Sequence, residues 1–319
     1  GGVMADSTFR LALYMHERKR PKFNDFVEHC RTKHWIVEDA TLLEPLDTLQ
    51  PDVVLHKITD DLSSGGTDAD AMQRVKTLDE FAAAHPEVPI IDPPSSLRIL
   101  MDRSLTYAAL SKLKLPAEHA ACFACPSFVN ATTDEDDVTK SISDAKMQGP
   151  YLVKTFRACG SAESHRMAIV FSPKDVATCG VPRPFCCQRY VNHQAVLWKI
   201  YVLDSMIRIV PRASTPDVVT EQDAHDFDSQ ALSKATIAPS PDVSAPSMEF
   251  VRAVAEAITA QMGISLFGFD LIHEKATGTW FIVDVNYFPT YEGVDQLNEQ
   301  LFEYLQRRAQ GSAKRQRKE

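Results

Sequence analysis

Residues Ser265–Val294, SLFGFDLIHEKATGTWFIVDVNYFPTYEGV, decide how the rest of the chain is read. Two runs, Leu266 to Ile272 and Thr279 to Val285, are rich in Phe, Ile, Val and Trp, and His273 to Gly278 between them has turn chemistry. A β-hairpin is expected. With Ala276-Thr277-Gly278 as a three-residue loop and Gly278 in the left-handed position, Asp270 stands opposite Asp284. Side chains alternate along a strand, so Asp284 and Asn286 share one face while Phe281, Val283 and Val285 take the other, into the core. Asp270, Asp284 and Asn286 thus converge where two buried strands end. Bare carboxylates among apolar residues are costly unless neutralised, and hard oxygen ligands with few protein partners suit Mg²⁺ that also binds nucleotide phosphates.

A chain of 319 residues with 44% hydrophobic content can bury a large core, enough for two or three domains. No apolar run approaches the ~18 residues of a membrane span, and no secretory signal is visible. Seven Cys is an odd count, and Cys122-Phe-Ala-Cys125 has no second pair at zinc spacing, so the cysteines read as thiols of a cytoplasmic protein. A net charge of −9 speaks against a nucleic-acid partner. An anionic small substrate stays open, because the local field of a cleft governs its binding.

In chain order, Phe9 to Tyr14 reads as a strand, followed by a basic loop from His16 to Lys22 and a helix from Asn24 to Thr32. Asp52 to His56 is a short apolar run of the kind found in buried parallel strands. Lys19 and Lys57 fall at carboxyl ends of such strands, where open α/β sheets bind ligands. Asp68 to His85 has helical spacing, Ile90-Ile91 is a strand, and the helix that begins near Ser95 carries Arg103. Pro126 to Ile142 is polar and acidic, a solvated loop leading into a helix. Tyr151 to Lys154 is a strand ending in Lys154, Gly160-Ser161-Ala162 is a small-residue loop, and the sheet resumes at Met167 to Phe171. Small residues let backbone amides approach phosphates, to which Lys154 adds a point charge. Pro184 to Val191 and Ala195 to Leu203 are strands joined at Asn192-His193; Lys199, with Trp198 and Ile200 on the opposite face, must reach solvent or an anion. Helices are expected over Ser247 to Met262, stopped by Gly263, and over Gln296 to Arg308, with a basic, disordered tail at Lys314 to Lys318.

The pattern D…D-x-N followed by FP-x-YEGV resembles the metal-binding end of ATP-grasp enzymes, specifically the inositol 1,3,4-trisphosphate 5/6-kinase family, also called inositol-tetrakisphosphate 1-kinases. HERKRPKFNDF, VVLHKITD, IDPPSSLRILMDRS, LVKTFRACGSAESHRMAIVF and QRYVNHQAVLWKIYVL match in the family's order, so that the resemblance runs from Leu11 to about Leu305. It implies an α/β chain of the ATP-grasp fold, with an N-terminal Rossmann-like domain over residues 1–95, a central lid over 96–190, and a C-terminal domain over 191–319 that carries the metal site. By the same resemblance Lys19, Lys57, His165, Lys199, Arg212 and Asn286 contact the inositol phosphate. Arg103 and Lys154 hold ATP phosphates, and Gln188, Tyr190 and Val191 line the base pocket. Ser214, Ser229 and Ser233 lie near ATP. Lys199, His165 and Asp284 are the residues closest to the chemistry.

Two departures stand out. Cys159 replaces a His or Asp, and Thr290 replaces the Gly that usually follows FP, in a loop whose backbone should approach the acceptor. The activity implied is transfer of the γ-phosphoryl group of ATP, with Mg²⁺, to a hydroxyl of an inositol polyphosphate, by a monomer with no nucleic-acid or membrane partner. An ATP-grasp carboxylate-amine ligase would share the metal hairpin and Lys154, and a catalytically inactive inositol-phosphate sensor would keep the cations. The cations about the acceptor favour the kinase over the ligase; intact Asp270, Asp284 and Asn286 favour it over the sensor.

Overall fold

The structure is a computed structural model that describes residues 8–40, 46–64, 66–158, 162–229, 237–238 and 243–316. The first sheet is built from β1 (Arg10–Met15), β2 (Ile36–Asp39), β3 (Val53–Lys57) and β4 (Ile90–Ile91), all parallel, in the order β2-β1-β3-β4. A parallel sheet is covered on both faces, which is why Val53, Val54 and Leu55 can be apolar in succession. After β3 come a short helix, Thr59–Ser63, and a long one, Ala69–Ala84, which the Asp68 carboxylate caps by accepting from the N–H groups of Asp70 and Ala71. After β4 the structure departs from the expected single helix. Asp102 is extended and caps Ser104 and Leu105, so Pro94–Met101 and Arg103–Leu110 are two helices and Arg103 opens the second.

Among the described residues ten further strands follow: β5 (Phe123–Ala124), β6 (Phe128–Ala131), β7 (Tyr151–Thr155), β8 (Arg166–Val170), β9 (Phe185–Arg189), β10 (Val196–Leu203), β11 (Met206–Ala213), β12 (His225–Asp228), β13 (Leu266–Glu274) and β14 (Thr279–Tyr287). The second sheet is antiparallel, in the order β12-β8-β7-β9-β6; the third has the order β11-β10-β13-β14-β5. Sequence reading missed β2, β5, β6, β11 and β12. All five are edge strands, where one face and one side meet solvent and the apolar signal is weak. Residues 126–142, expected as a loop before a helix, supply β6 and then the helix Val138–Asp144.

Buried side chains of the first and third sheets merge into one core that includes Leu11, Leu55, Phe267, Phe269 and Leu305. The second sheet packs a core of its own around Val138, Ile142, Val153, Val176 and Phe185. The helix Met248–Met262 buries Val251, Val254 and Ile258 and ends at Gly263 (φ +68°), as its spacing predicts. The last helix runs Leu297–Gln316, beyond Arg308, so the basic tail is helical as far as Gln316. Arg, Gln, Ala and Lys favour helix, and basic residues suit a helix C-terminus. Among the described residues no helix is long and apolar enough to cross a membrane.

The hairpin keeps the expected pairs Gly268/Asn286 and Asp270/Asp284, but a bulge follows: Leu271 faces Ile282 and Glu274 faces Thr279. The loop therefore has four residues, closed by the Gly278 N–H on the Glu274 carbonyl at 2.9 Å with Gly278 at φ +72°. Val283 is the extra residue. A one-residue slip exchanges faces, so Phe281 and Val283 join Val191 and Ile272 in a small cluster while Ile282 and Val285 enter the main core. The single core face expected for Phe281, Val283 and Val285 is thereby split.

Asp92 joins the first sheet to the third. Its carboxylate accepts from the N–H groups of Ser265 (2.7 Å) and Leu266 (3.0 Å) and from the Ser265 hydroxyl (2.6 Å), and its own N–H donates to the Tyr287 hydroxyl at 2.7 Å. Asp92→Ala strands two buried N–H donors at the start of β13 and should cost about 2–4 kcal/mol of unfolding free energy. Urea denaturation measures it; an unchanged midpoint would show that this contact does not stabilise the fold.

Candidate active site

Three charged residues stand abreast on adjacent strands. Lys199 of β10 pairs with Asp270 of β13, which pairs with Asp284 of β14. Directly opposed residues share a face, so one ammonium and two carboxylates meet on one side of the sheet while Trp198 and Ile200 are buried on the other. Lys199 Nζ donates to Asp270 Oδ1 at 2.9 Å, and Asn286 Nδ2 donates to Asp284 Oδ2 at 3.0 Å. Burial penalises the Asp270 charge and Asp284 adds to the penalty; contact with Lys199 offsets it. Burial would also push the Lys199 ammonium down, but the Asp270 carboxylate holds it above its ordinary value. Gly268, next to this row, has no room for a side chain: a Cβ would lie 3.1 Å from the Ile200 carbonyl and 3.3 Å from Pro289 Cγ.

Two carboxylates beside one ammonium leave the row one negative charge in excess. Among the described residues no group of three or more His, Cys, Asp or Glu could hold a metal. Asp270, Asp284 and the Asn286 amide oxygen instead form the sparse, hard oxygen set that fits Mg²⁺ coordinated mainly by water and phosphate.

The row forms one wall of a cavity of about 480 Å³ between the second and third sheets. From the second sheet come Lys154, His165 and Gln188; from the third come Lys199, Arg212 and Asp284. Lys154 is buried, and its Nζ donates to the Tyr107 hydroxyl at 3.0 Å. Burial pushes its ammonium down to about 8, against the opposing pull of Asp284. Arg103 also lines the cavity, but its Nη1 donates to the carbonyls of Thr155 (2.9 Å), Arg157 (2.9 Å) and Ser164 (3.2 Å). One edge of that guanidinium therefore fixes the segment leading to His165, the last residue of a 3-10 turn over Ala162–His165. The small-residue loop begins at Gly160 and Ser161, which, with Cys159, lie outside the described residues; so does Ser233. Ser229 lines the cavity just after β12.

Gln188, Tyr190 and Val191 lie together at the apolar end, with Leu197, Ile272 and Val283. Gln188 is buried, and its Nε2 has no hydrogen-bond partner among the described residues. A buried orphan donor at the cavity wall fits an acceptor atom of a bound base. The Tyr190 hydroxyl is engaged elsewhere, donating to the Pro216 carbonyl and accepting from Thr215, each at 2.8 Å. Sequence reading passed over His193, which holds this end together. Burial keeps its imidazole below the ordinary range; neutral, it donates from Nδ1 to the Val191 carbonyl and accepts at Nε2 from the Ser214 hydroxyl, both at 2.7 Å.

Toward the loop after β14, Arg212 Nη2 meets Glu292 Oε2 at 2.9 Å, and Thr290 lines the cavity from the same loop. The left-handed positions of that loop are Phe288 (φ 40°), Tyr291 (φ 51°) and Gly293 (φ 78°), so Thr290 escapes the strain its β-branch would suffer there. Lys19 and Lys57 stand behind the loop. Lys57 Nζ donates to the Phe288 carbonyl at 2.7 Å, and Lys19 Nζ lies 2.9 Å from Asp60 Oδ1. Burial, with Lys19 and Lys22 nearby, pushes the Lys57 ammonium down to about 8. Tyr107 and Glu292, like His193, gave no spacing signal: each acts through a partner distant in sequence.

Comparison with known proteins bears on fold and family. Inositol-tetrakisphosphate 1-kinase of Xenopus laevis is 29% identical over 317 residues, covering 93% of this chain and 78% of that protein. Inositol-tetrakisphosphate 1-kinase 5 of Oryza sativa subsp. japonica is 32% identical over 232 residues, 67% of each chain. Among solved structures, D-alanine–D-alanine ligase from Bacillus anthracis superposes with a TM-score of 0.61 at 13% identity, over 97% of this chain and 100% of that one. The ATP-grasp ligase PsnB gives 0.58 at 14% identity, over 94% and 99%. Those likenesses carry the fold alone, which is ATP-grasp. The model described as the inositol 1,3,4-trisphosphate 5/6-kinase pre-ATP-grasp domain matches residues 11–97, and that of the ATP-grasp domain matches 117–307. With both parts matched in order over most of its length, this chain belongs to the inositol 1,3,4-trisphosphate 5/6-kinase family.

Proposed function

We propose that the protein is an ATP-dependent inositol phosphate kinase, moving the γ-phosphoryl group of ATP to a free hydroxyl of an inositol polyphosphate. The observation that carries the site is the row Lys199, Asp270 and Asp284, set in a cavity lined by both apolar and cationic side chains. The base occupies the apolar end, against Val191, Ile272 and Val283, with the Gln188 amide reading its edge. Lys154 holds nucleotide phosphates, Ser214 and Ser229 flank them, and Arg103 positions the segment before His165. Asp270, Asp284 and Asn286 would hold Mg²⁺, which when bound neutralises phosphate oxygens. Lys199 supplies positive charge at the same place from the protein itself. Arg212, His165 and Thr290 face the acceptor, and Lys57 and Lys19 extend the cationic field behind the loop.

In the reaction the acceptor oxygen forms a bond to the γ-phosphorus as the bond to the β-phosphate oxygen breaks, releasing ADP and the hydroxyl proton. Little covalent work falls to the protein, so catalysis is positioning and charge neutralisation. We assign residues 1–95 to the acceptor side, 96–190 to the lid and 191–319 to the metal-bearing body, with two strands exchanged: β5 pairs with β14 of the body, and β12 pairs with β8 of the lid. The six described cysteines are all thiols, which suits a cytoplasmic enzyme, and the proposed contacts all come from one chain, as a monomer requires. The direct test is incubation with Mg-ATP and a panel of inositol phosphates, with products separated by chromatography. If ADP appears only when a carboxylate and an amine are supplied, the chain is a ligase.

Asp284→Ala should lower kcat by about 10²-fold or more while the fold survives, because it removes charge stabilisation made at the transferring group. Near-normal turnover of the folded variant at limiting Mg²⁺ would overturn the metal assignment. The ammonium form of Lys154 is the one that binds phosphate, so kcat/KM for ATP should fall as pH rises through about 8. In Lys154→Arg, whose charge does not titrate, the alkaline limb should recede. Thr290→Gly should change the ratio of kcat/KM between inositol phosphates that differ in phosphate position, by about tenfold if ~1.4 kcal/mol of steric discrimination is lost. An unchanged ranking would place the Thr290 side chain away from the acceptor.

A further inference from the structure

Arg212 and Glu292 form an ion pair whose partners are held very differently. Arg212 projects from β11, paired with Leu197, and its side chain is 8% exposed; Glu292 lies on the loop after β14 and its side chain is 64% exposed. Releasing the exposed Glu292 carboxylate into water costs little, whereas the buried Arg212 side chain stays where β11 holds it. Both residues line the cavity, and Glu292 follows Thr290 by two positions. The loop backbone around them is anchored. The Phe288 carbonyl is held by Lys57 and the Tyr291 hydroxyl donates to the Val202 carbonyl, both at 2.7 Å, so a change at the pair falls on the Glu292 side chain.

We propose that Glu292 is a specificity-determining residue, whose carboxylate occupies Arg212 in the free protein and yields it only to a phosphate of the acceptor. The inference deepens the kinase reading and rests on it. A phosphate monoester brings about −1.5 to −2 charges and three oxygens against the single charge of a carboxylate, so it displaces Glu292. A hydroxyl at the same place brings no charge and leaves the pair closed. Acceptors lacking a phosphate within reach of Arg212 are thereby disfavoured, and those that carry one still bind beside a displaced negative charge. Negative charge built into an acceptor pocket lowers affinity but sharpens the difference between acceptors.

The test is a gain of affinity, which damage to the site would not produce. In Glu292→Gln and Glu292→Ala the KM for the best acceptor should fall about fivefold, the ~1 kcal/mol ceiling of a pair with one exposed partner. The KM for ATP should stay as it is, and the gain should shrink at high ionic strength. Unchanged or weaker acceptor binding in both variants overturns the proposal, and so does a gain confined to ATP, which would give Arg212 to the nucleotide. Calorimetric titration with inositol hexakisphosphate reads the same exchange without turnover. Tightened binding in the variants of a protein that turns over no inositol phosphate would sink the kinase reading and leave the role of Glu292 standing; no binding to any form would sink both.

Discussion

The antiparallel register of β10, β13 and β14 is the constraint on which the site depends, because it alone brings Lys199, Asp270 and Asp284 side by side. Nothing in their sequence positions would do so: Lys199 is far from the two Asp, and the Asp residues are separated by a turn. The register is held by the apolar residues between them, since slipping any strand by one position would carry charge into the core. The bulge after Asp270 confines the irregularity of the four-residue turn to the part of the hairpin beyond the charged row. A row of buried charge is an expense that an apolar row would avoid.

The cavity lies between two layers that are packed separately. The second sheet has a core of its own, whereas the first and third share one. Apolar and polar links both cross the gap: Cys186 of β9 enters the main core, with Phe128 of β6 packed against it. Lys154 of β7 donates to Tyr107, whose hydroxyl in turn approaches the Val283 carbonyl of β14 at 3.4 Å. Arg189 of β9 meets Glu274 of β13 at 2.9 Å with its guanidinium over the Phe281 ring. The connector after β9 is clamped to residues 215–218 by Asn192, His193 and Tyr190. Contacts of this kind set geometry without welding the layers together.

The same fold serves ligases that activate a carboxylate and a kinase that phosphorylates a hydroxyl, and the difference falls on the acceptor side. Positive charge and hard oxygen ligands of the kind set out by Lys154, Asp270 and Asp284 suit any phosphoryl transfer from ATP. Arg212, His165 and the lysines of the first sheet form a cationic rim suited to an acceptor already rich in phosphate. Each cation is compensated in the free protein: Lys199 by Asp270, Lys19 by Asp60, Arg212 by Glu292, and Lys57 by a carbonyl dipole. Internal counter-ions keep such a pocket from being a strained cluster of like charge.

The sequence by itself determined the hairpin, the facing of Asp270 and Asp284, the parallel first sheet and the helix over Ala69–Ala84, because each follows from local periodicity or turn chemistry. It also placed Lys154 and Lys199 at strand positions where an ammonium must find an anion. The break at Asp102, the bulge that turns Val283 toward the cavity, and the edge strands β2, β5, β6, β11 and β12 escaped it, since capping, slippage and edge pairing depend on neighbours that periodicity does not encode. Tertiary structure alone decided that His193 bridges Val191 and Ser214, that Lys57 holds the loop before Thr290, and that Glu292 covers Arg212. Those contacts join residues whose distance along the chain has no regular spacing; only the packing of three sheets brings them within reach.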